Sequence, residues 1–363
     1  MPRRLSSGRG HPAVLAVASC LVGLVAHAGE STAEVHRVGG GVVRGELAEL
    51  SPTAVAVTTQ TGSTARIPIE DVGFVRFADE PEALTDARAL LLRGDGAGAL
   101  RKIATITESD RTTTTTPVLD EIAFVRAAAA GRVAIATGSG VDQAAGALRD
   151  FTAAHPRSHH LYAAQEMLGG VLSRAGRHAD AAAAYGELAK GPPLLAARAA
   201  ALEAGLELAQ GRPAEAIHDY EQAAASAAQV EGEAGRRARL SADLGRARCL
   251  VLLQKPSEAI AACRRVIGDC RPDDTRLLSR GYLVLGAAQM QRGDADHDAA
   301  VSLLTVDLVH NTVPEDRAEA LHHLIGLWER LNHPERSREA RQVLEATFPN
   351  SPWTRKQPVA NPS

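Results

Sequence analysis

The chain repeats one phrase seven times between residues 93 and 349: an Ala-rich apolar helix reaches a short polar turn, and a second Ala-rich helix follows. The clearest copies span 168–193, 204–223, 247–272 and 285–308. This recurrence limits the fold more than anything else in the sequence. One helical hairpin has too little apolar surface to stand alone, so hairpins at a steady period stack, each covering the stripe of its neighbour. Such stacks build an extended surface instead of one catalytic cleft. The expected fold class is therefore mainly α, an α-α solenoid of about seven helical hairpins, and the expected role is that of a scaffold or adaptor.

Composition agrees. Of 363 residues 45% are hydrophobic but only 3% aromatic, so alanine carries the apolar content and helices must approach closely to form a core. A net charge of -3 offers a polyanion little to hold, which argues against a nucleic-acid partner. Asp79-Glu80-Pro81 opens the helical region, and residues 82–93 and 97–106 form a first hairpin around Gly94-Asp95-Gly96. Residues 108–117, with five consecutive threonines, read as a loop, since β-branched Thr is a weak helix former. Pro117 suits the first turn of the next helix, and 117–136 with 141–154 make the second hairpin.

The third hairpin is the most legible: Met167-Leu168-Gly169-Gly170-Val171-Leu172, then Gly176-Arg177-His178, then Ala181, Tyr185 and Leu188, ending at Pro192-Pro193. Gly211-Arg212-Pro213-Ala214-Glu215-Ala216-Ile217 with Tyr220 and Ala223 repeats the theme, as does Lys255-Pro256-Ser257-Glu258-Ala259-Ile260. Leu285-Gly286 to Arg292-Gly293-Asp294 follows, with one extra residue before Ala299, and the last unit passes through Asn332-His333-Pro334-Glu335. These residues resemble the tetratricopeptide repeat (TPR): an apolar-small pair early in the first helix, Gly at the turn, a small residue opening the second helix's contact face, an aromatic four later, and Pro at the end. The resemblance implies a curved right-handed superhelix and a role in protein–protein interaction. It places Gly169, Ala181, Ala216, Ala259 and Gly286 at helix crossings, with Tyr185 and Tyr220 between neighbouring hairpins.

Residues 33–77 follow a different rule. Val42, Leu47, Val55, Val57, Ile67, Ile69, Phe74, Val75 and Phe77 lie in short β-type runs punctuated by Gly39-Gly40-Gly41, Ser51-Pro52 and Thr61-Gly62-Ser63. Four or five short strands predict a small all-β, barrel-like module. Gly41-Val42-Val43-Arg44-Gly45-Glu46-Leu47, with Phe74-Val75-Arg76-Phe77 downstream, resembles an SH3-like or Sm-like barrel, whose relatives bind RNA or proline-rich peptides. This chain lacks the basic-aromatic surface and the aromatic cluster those ligands need, so a cap over the end of the repeats is the simpler role.

The first residues read as an export signal: Arg3, Arg4 and Arg9, an apolar run over 13–25, and Ala26-His27-Ala28 as a small-x-small cleavage site. The run is too short to span a membrane, which takes roughly 20 residues. The expected organisation is thus a signal peptide at 1–28, the β module at 29–80, the repeats at 81–355 and a disordered tail at 356–363, in a periplasmic or secreted protein with no transmembrane helix in the mature chain. Val17-Ala18-Ser19-Cys20 offers a lipoprotein alternative through Cys20, and Arg3-Arg4 a twin-arginine one. Cleavage leaves Cys249, Cys263 and Cys270. The last two lie about 10 Å apart along one helix, beyond disulfide reach. A bridge from Cys249 stays open beside the reading of buried thiols as small hydrophobes.

No residue set rises to a catalytic constellation. His159-His160 and His322-His323 are adjacent pairs, and neighbours on a helix point about 100° apart, whereas helical metal ligands sit four residues apart. No cofactor and no metal are expected. Ser173, Ser241 and Ser279 lack a nucleophile elbow, and Asp273-Asp274 reads as a helix N-cap. The first-helix positions where TPR domains carry a Lys/Asn carboxylate clamp hold other residues, so the concave face reduces to Glu166, Arg174, Arg248 and Gln291 as candidate protein-binding side chains. The expected partners are other proteins or extended peptides of the cell envelope, with no small-molecule substrate. The whole build is similar to exported bacterial proteins that place a small β module before such repeats. Two further readings stand beside it: a lipid-anchored subunit of an outer-membrane assembly complex, and an enzyme using the repeats as an accessory.

Overall fold

A computed structural model describes residues 32–112 and 114–357. The export signal, Cys20 and residues 358–363 of the tail lie outside the described residues.

The described residues open with five antiparallel strands, β1 (Thr32–Arg37), β2 (Val42–Leu50), β3 (Ala54–Thr58), β4 (Thr64–Pro68) and β5 (Val72–Phe77), in the order β4-β3-β2-β1-β5. A 3₁₀ turn at Ile69–Asp71 carries the chain from one sheet edge to the other, so β5 pairs with β1. Gly45 permits the tightest crossing: a Cβ there would lie 2.1 Å from the Thr58 carbonyl oxygen. Inward residues Val35, Leu47, Val55, Val57, Ile67, Val75 and Phe77 do not close a separate core. They join Leu84, Ala87, Ala99, Ile103, Val118, Ile122 and Val125 of the first helices in one cluster. The sheet covers the apolar face that the first hairpin would otherwise expose, as the end of a solenoid requires.

Seven hairpins follow among the described residues: α1 (Glu82–Leu92) with α2 (Gly96–Ile103), α4 (Thr116–Thr137) with α5 (Val141–Ala154), α6 (Leu161–Arg174) with α7 (His178–Leu188), α8 (Pro193–Ala209) with α9 (Pro213–Ala228), α10 (Gly232–Leu252) with α11 (Pro256–Asp269), α12 (Thr275–Arg292) with α13 (Asp296–Leu308), and α14 (Pro314–Arg330) with α15 (Pro334–Thr347). The segment expected as a loop contains one helical turn, α3 (Glu108–Thr112). Its cause is local. Asp110 accepts from the backbone N–H and hydroxyl of Thr107 at 2.8 and 2.7 Å, and Thr107 Oγ1 accepts from Asp110 N–H at 3.2 Å, a reciprocal cap that offsets poor propensity. A final turn, α16 (Pro352–Arg355), places Trp353 against the last hairpin. No helix among the described residues is long and apolar enough to cross a membrane.

Each hairpin turn contains a residue in the left-handed region. Glycine fills most of these turns, as at Gly176 (φ 74°) and Gly211 (φ 75°), where only glycine adopts this backbone without strain. Gln254 and Asn332, both at φ 59°, take the place in the fifth and seventh turns. In the fourth, fifth and seventh turns a proline then follows two residues later, at the first turn of the second helix, where a missing N–H costs nothing.

The helix crossings fall at the expected small residues. Ala181, Ala216 and Ala259 are wholly buried. A Cβ on Gly169 would lie 2.1 Å from the Tyr185 ring, and one on Gly286 would lie 2.7 Å from Leu303. One expectation needs refining. Tyr220 does sit between hairpins, against Gly245 of the next unit, but Tyr185 lies over Gly169 of its own hairpin.

Where sheet and solenoid meet, a buried polar chain joins them. Glu80 accepts from the Phe77 N–H (3.1 Å), the Thr85 hydroxyl (2.6 Å) and two guanidinium nitrogens of Arg88 (both 2.9 Å). The Arg88 Nε donates to Glu121 at 2.9 Å.

A candidate binding groove on the inner helix row

The first helices of the third to seventh hairpins, α6, α8, α10, α12 and α14, form an inner row in which α8 packs on α10, α10 on α12 and α12 on α14. A groove of about 600 Å³ runs along this row, within the size range of ligand sites generally. Helical periodicity puts the lining on one face. On α8 it takes Arg198, Ala201, Leu202, Gly205 and Leu208, and on α10 Ser241, Leu244, Gly245 and Arg248, both spaced by three or four residues. Tyr185 and Tyr220 enter from the second helices, with the Tyr220 hydroxyl over Gly205. Burial pushes both phenols up to about 12, so neither serves as an acid or base near neutral pH.

Charge distinguishes the groove. Four guanidinium groups, Arg198, Arg248, Arg276 and Arg280, line it against two carboxylates, Glu166 and Asp316. Arg198 bridges to Glu166 at 2.7 Å, tying α8 to α6. Arg248 reaches Glu319 on α14 at 2.8 Å. Burial alone would raise the Glu319 carboxyl, but His323 and Arg248 hold it near 2. Arg280 donates from Nε (2.9 Å) and Nη2 (2.7 Å) to one oxygen of Asp316. Burial works against the Arg280 charge, and Asp316 more than restores it. The second Asp316 oxygen is buried without a partner among the described residues. Arg276 is exposed and has no ion pair among them.

Of the four concave-face candidates, Glu166 and Arg248 line the groove. Arg174 is exposed at the end of α6, and Gln291 donates to the Val251 carbonyl at 3.0 Å; neither lines it. Arg198, Arg276, Arg280 and Asp316 were not legible in advance. Their helical faces can be read from spacing, but their convergence depends on how consecutive hairpins are rotated.

Other expectations change. Asp274 occupies the N-cap of α12 but does not cap it. Its buried carboxylate accepts from Arg236 (2.5 Å), Arg237 (2.6 Å) and the Arg271 N–H (2.8 Å), binding α10 to the loop that precedes α12. Cys249, Cys263 and Cys270 are free thiols, and burial pushes Cys249 up to about 11 and Cys263 up to about 12. His322 and His323 lie on α14 and diverge, His322 facing the Trp353 carbonyl (3.0 Å) and His323 facing Glu319 (3.8 Å). His159 and His160 are not on a helix. They sit in the turn before α6, where both rings face Glu121 of α4.

No known protein family matches the chain by sequence, and no curated protein does. Among solved structures, a Rap protein complexed with competence and sporulation factor aligns with a TM-score of 0.50 over 75% of this chain and 76% of that one, at 13% identity. The fold is a TPR-like α-α solenoid. PilW, a widely conserved type IV pilus biogenesis factor, aligns at a TM-score of 0.40 and 16% identity, over 65% of this chain and 97% of that one. The C-terminal part of a TPR repeat-containing protein from Cytophaga hutchinsonii aligns at 0.39 and 13%, over 75% and 97%. At these identities the likeness concerns the solenoid fold alone.

Proposed function

We propose that this TPR-like solenoid is a non-enzymatic scaffold whose inner groove holds an extended, acidic segment of a partner protein. The observation that carries this reading is the surplus of guanidinium groups in the groove, with Arg276 exposed and without an ion pair among the described residues, beside Arg280. Arginine presents a planar fork that matches a carboxylate, and the Leu202, Leu208 and Leu244 side chains beside it suit the apolar residues of such a segment. That a Rap protein of this fold has been solved with a bound factor supports occupancy of such a solenoid. Fluorescence anisotropy with a labelled peptide of alternating Glu and Leu, against its Gln-for-Glu counterpart, tests the reading. The acidic peptide is expected to bind at least about tenfold tighter, a difference of about 1.4 kcal/mol, and Arg276→Glu is expected to abolish that preference. Equal affinities, or a preference untouched by Arg276→Glu, would refute an acidic ligand.

We also read the chain as exported and its partner as an envelope protein, on the basis of Arg3, Arg4, Arg9, the apolar run and Ala26-His27-Ala28. Intact-mass measurement of the chain recovered from a secreting bacterium is expected to show Gly29 at the N-terminus. An acylated Cys20 would instead favour the lipid-anchored reading, and a chain still beginning at Met1 would remove both. We read the β module as an SH3-like cap: the return of β5 to β1 through a 3₁₀ turn and the core shared with α1, α2 and α4 support that role.

A further inference from the structure

We propose that Glu121, His159 and His160 bind a divalent transition-metal cation of the zinc type, which clamps the second hairpin to the turn that opens the third. The three donors lie within 4.8 Å of one another. Glu121 Oε2 is 2.6 Å from His160 Nε2 and 3.7 Å from His159 Nε2. Ligands in tetrahedral array around zinc, each about 2.0–2.2 Å from the metal, stand about 3.3 Å apart, so shifts of up to about 1 Å bring these atoms onto one ion.

The surroundings favour ligation over a plain ion pair. His159 is 3% exposed, and neither of its ring nitrogens has a hydrogen-bond partner among the described residues. Buried polar groups are almost always satisfied, and this one is aimed at the Glu121 carboxylate. Arg88 holds the Glu121 Oε1 at 2.9 Å and leaves Oε2 to face the histidines, the kind of outer contact that orients a ligand. The rings are held as well: His160 stacks on Phe124 at 3.7 Å, and His159 packs on His160 at 3.8 Å. Two imidazoles and one carboxylate suit zinc better than calcium or magnesium, with a fourth position for water. His160, the most exposed of the three side chains at 13%, marks the way in.

The test uses the full chain, stripped with a chelator and titrated calorimetrically with zinc alone. One site of micromolar affinity or better is expected, with a rise in melting temperature on zinc addition. His159→Ala and His160→Ala are each expected to weaken binding by more than about tenfold and to remove the thermal shift, while His323→Ala leaves both intact. Cobalt in place of zinc should give the visible bands of a tetrahedral nitrogen–oxygen site. A near-ultraviolet thiolate band would place the metal on cysteine and overturn the proposal. So would a wild type that takes up no zinc, or His159→Ala binding it equally well. If His159→Ala does not fold, His160→Ala and the wild-type titration decide.

Discussion

Replacing Arg88 with methionine is expected to lower stability by about 3–5 kcal/mol. The side chain is 6% exposed and its partners Glu80 and Glu121 are 2% and 1% exposed, so the substitution leaves two carboxylates in the interior with their shared cation gone. Methionine fills much of the volume but donates nothing. A buried ion network is weak evidence for stability in itself, whereas breaking one by removing a single member is costly. The position magnifies the effect, because the network joins the end of β5, α1 and α4, where the sheet covers the solenoid. The unfolding should therefore be local first, seen as faster amide exchange in β5, α1 and α4, before the later repeats are affected.

The loss should depend on pH. In the wild type, burial alone would raise the Glu121 carboxyl, but His160, Arg88 and His159 hold it far below the usual carboxylate range. A carboxyl lowered on folding adds stability above its unfolded value of about 4.3, and that stability fades as pH falls through the folded value. Without Arg88 part of this is gone, so wild type and variant should differ most at neutral pH, keep most of that difference at about pH 4, and converge only well below it. Guanidinium denaturation at these pH values provides the check. A variant within about 1 kcal/mol of wild type at pH 7 would show that the network holds nothing together.

Tyr220→Ala is expected to cost about 3 kcal/mol or more, as for large-to-small changes of aromatic core residues. Tyr220 is 9% exposed and lies between α8 and α10, its hydroxyl over Gly205 and its ring over Gly245. Few other aromatic side chains exist to fill such a gap in an alanine-built core. The companion change, Gly245→Ala, puts a methyl 2.2 Å from the same ring. Helix propensity favours alanine by up to about 1 kcal/mol, but displacing the ring costs about 1–3 kcal/mol, so the single variant should be destabilised. The two effects should not add. With the ring gone, the new methyl occupies space the tyrosine left, and Tyr220→Ala/Gly245→Ala should be more stable than the sum of the singles by about 1 kcal/mol. Strict additivity in thermal or chemical denaturation would mean that ring and glycine do not meet. Because Tyr220 also lines the groove, the same variants should weaken capture of the acidic peptide.

The hairpins were legible because the information that makes them is local. Apolar periodicity marks each helix, and a left-handed turn residue followed by proline marks three of the breaks, so the observed helices begin and end close to the expected positions. Gly169, Ala181 and Gly286 were legible as crossings for the same reason: a small residue at a fixed interval has one simple use. Local reasoning failed where contacts come from elsewhere. Asp274 looks like a helix cap in sequence, yet two arginines from α10 claim its carboxylate. Adjacent histidines on a helix would diverge, but the turn before α6 sets His159 and His160 outside any helix, and their rings converge.

The sequence by itself determined the solenoid, its number of hairpins and the β module before them, since period, turn residues and alanine content act within a hairpin or between neighbours. Only the tertiary structure decided which side chains share a site. Groove residues such as Glu166, Arg198, Arg280 and Asp316 come from helices well apart in the chain, and Glu121 meets His159 across an intervening helix. Those meetings depend on the angle at which each hairpin rests on the last, which is set by the summed packing of many small residues and not by any one of them.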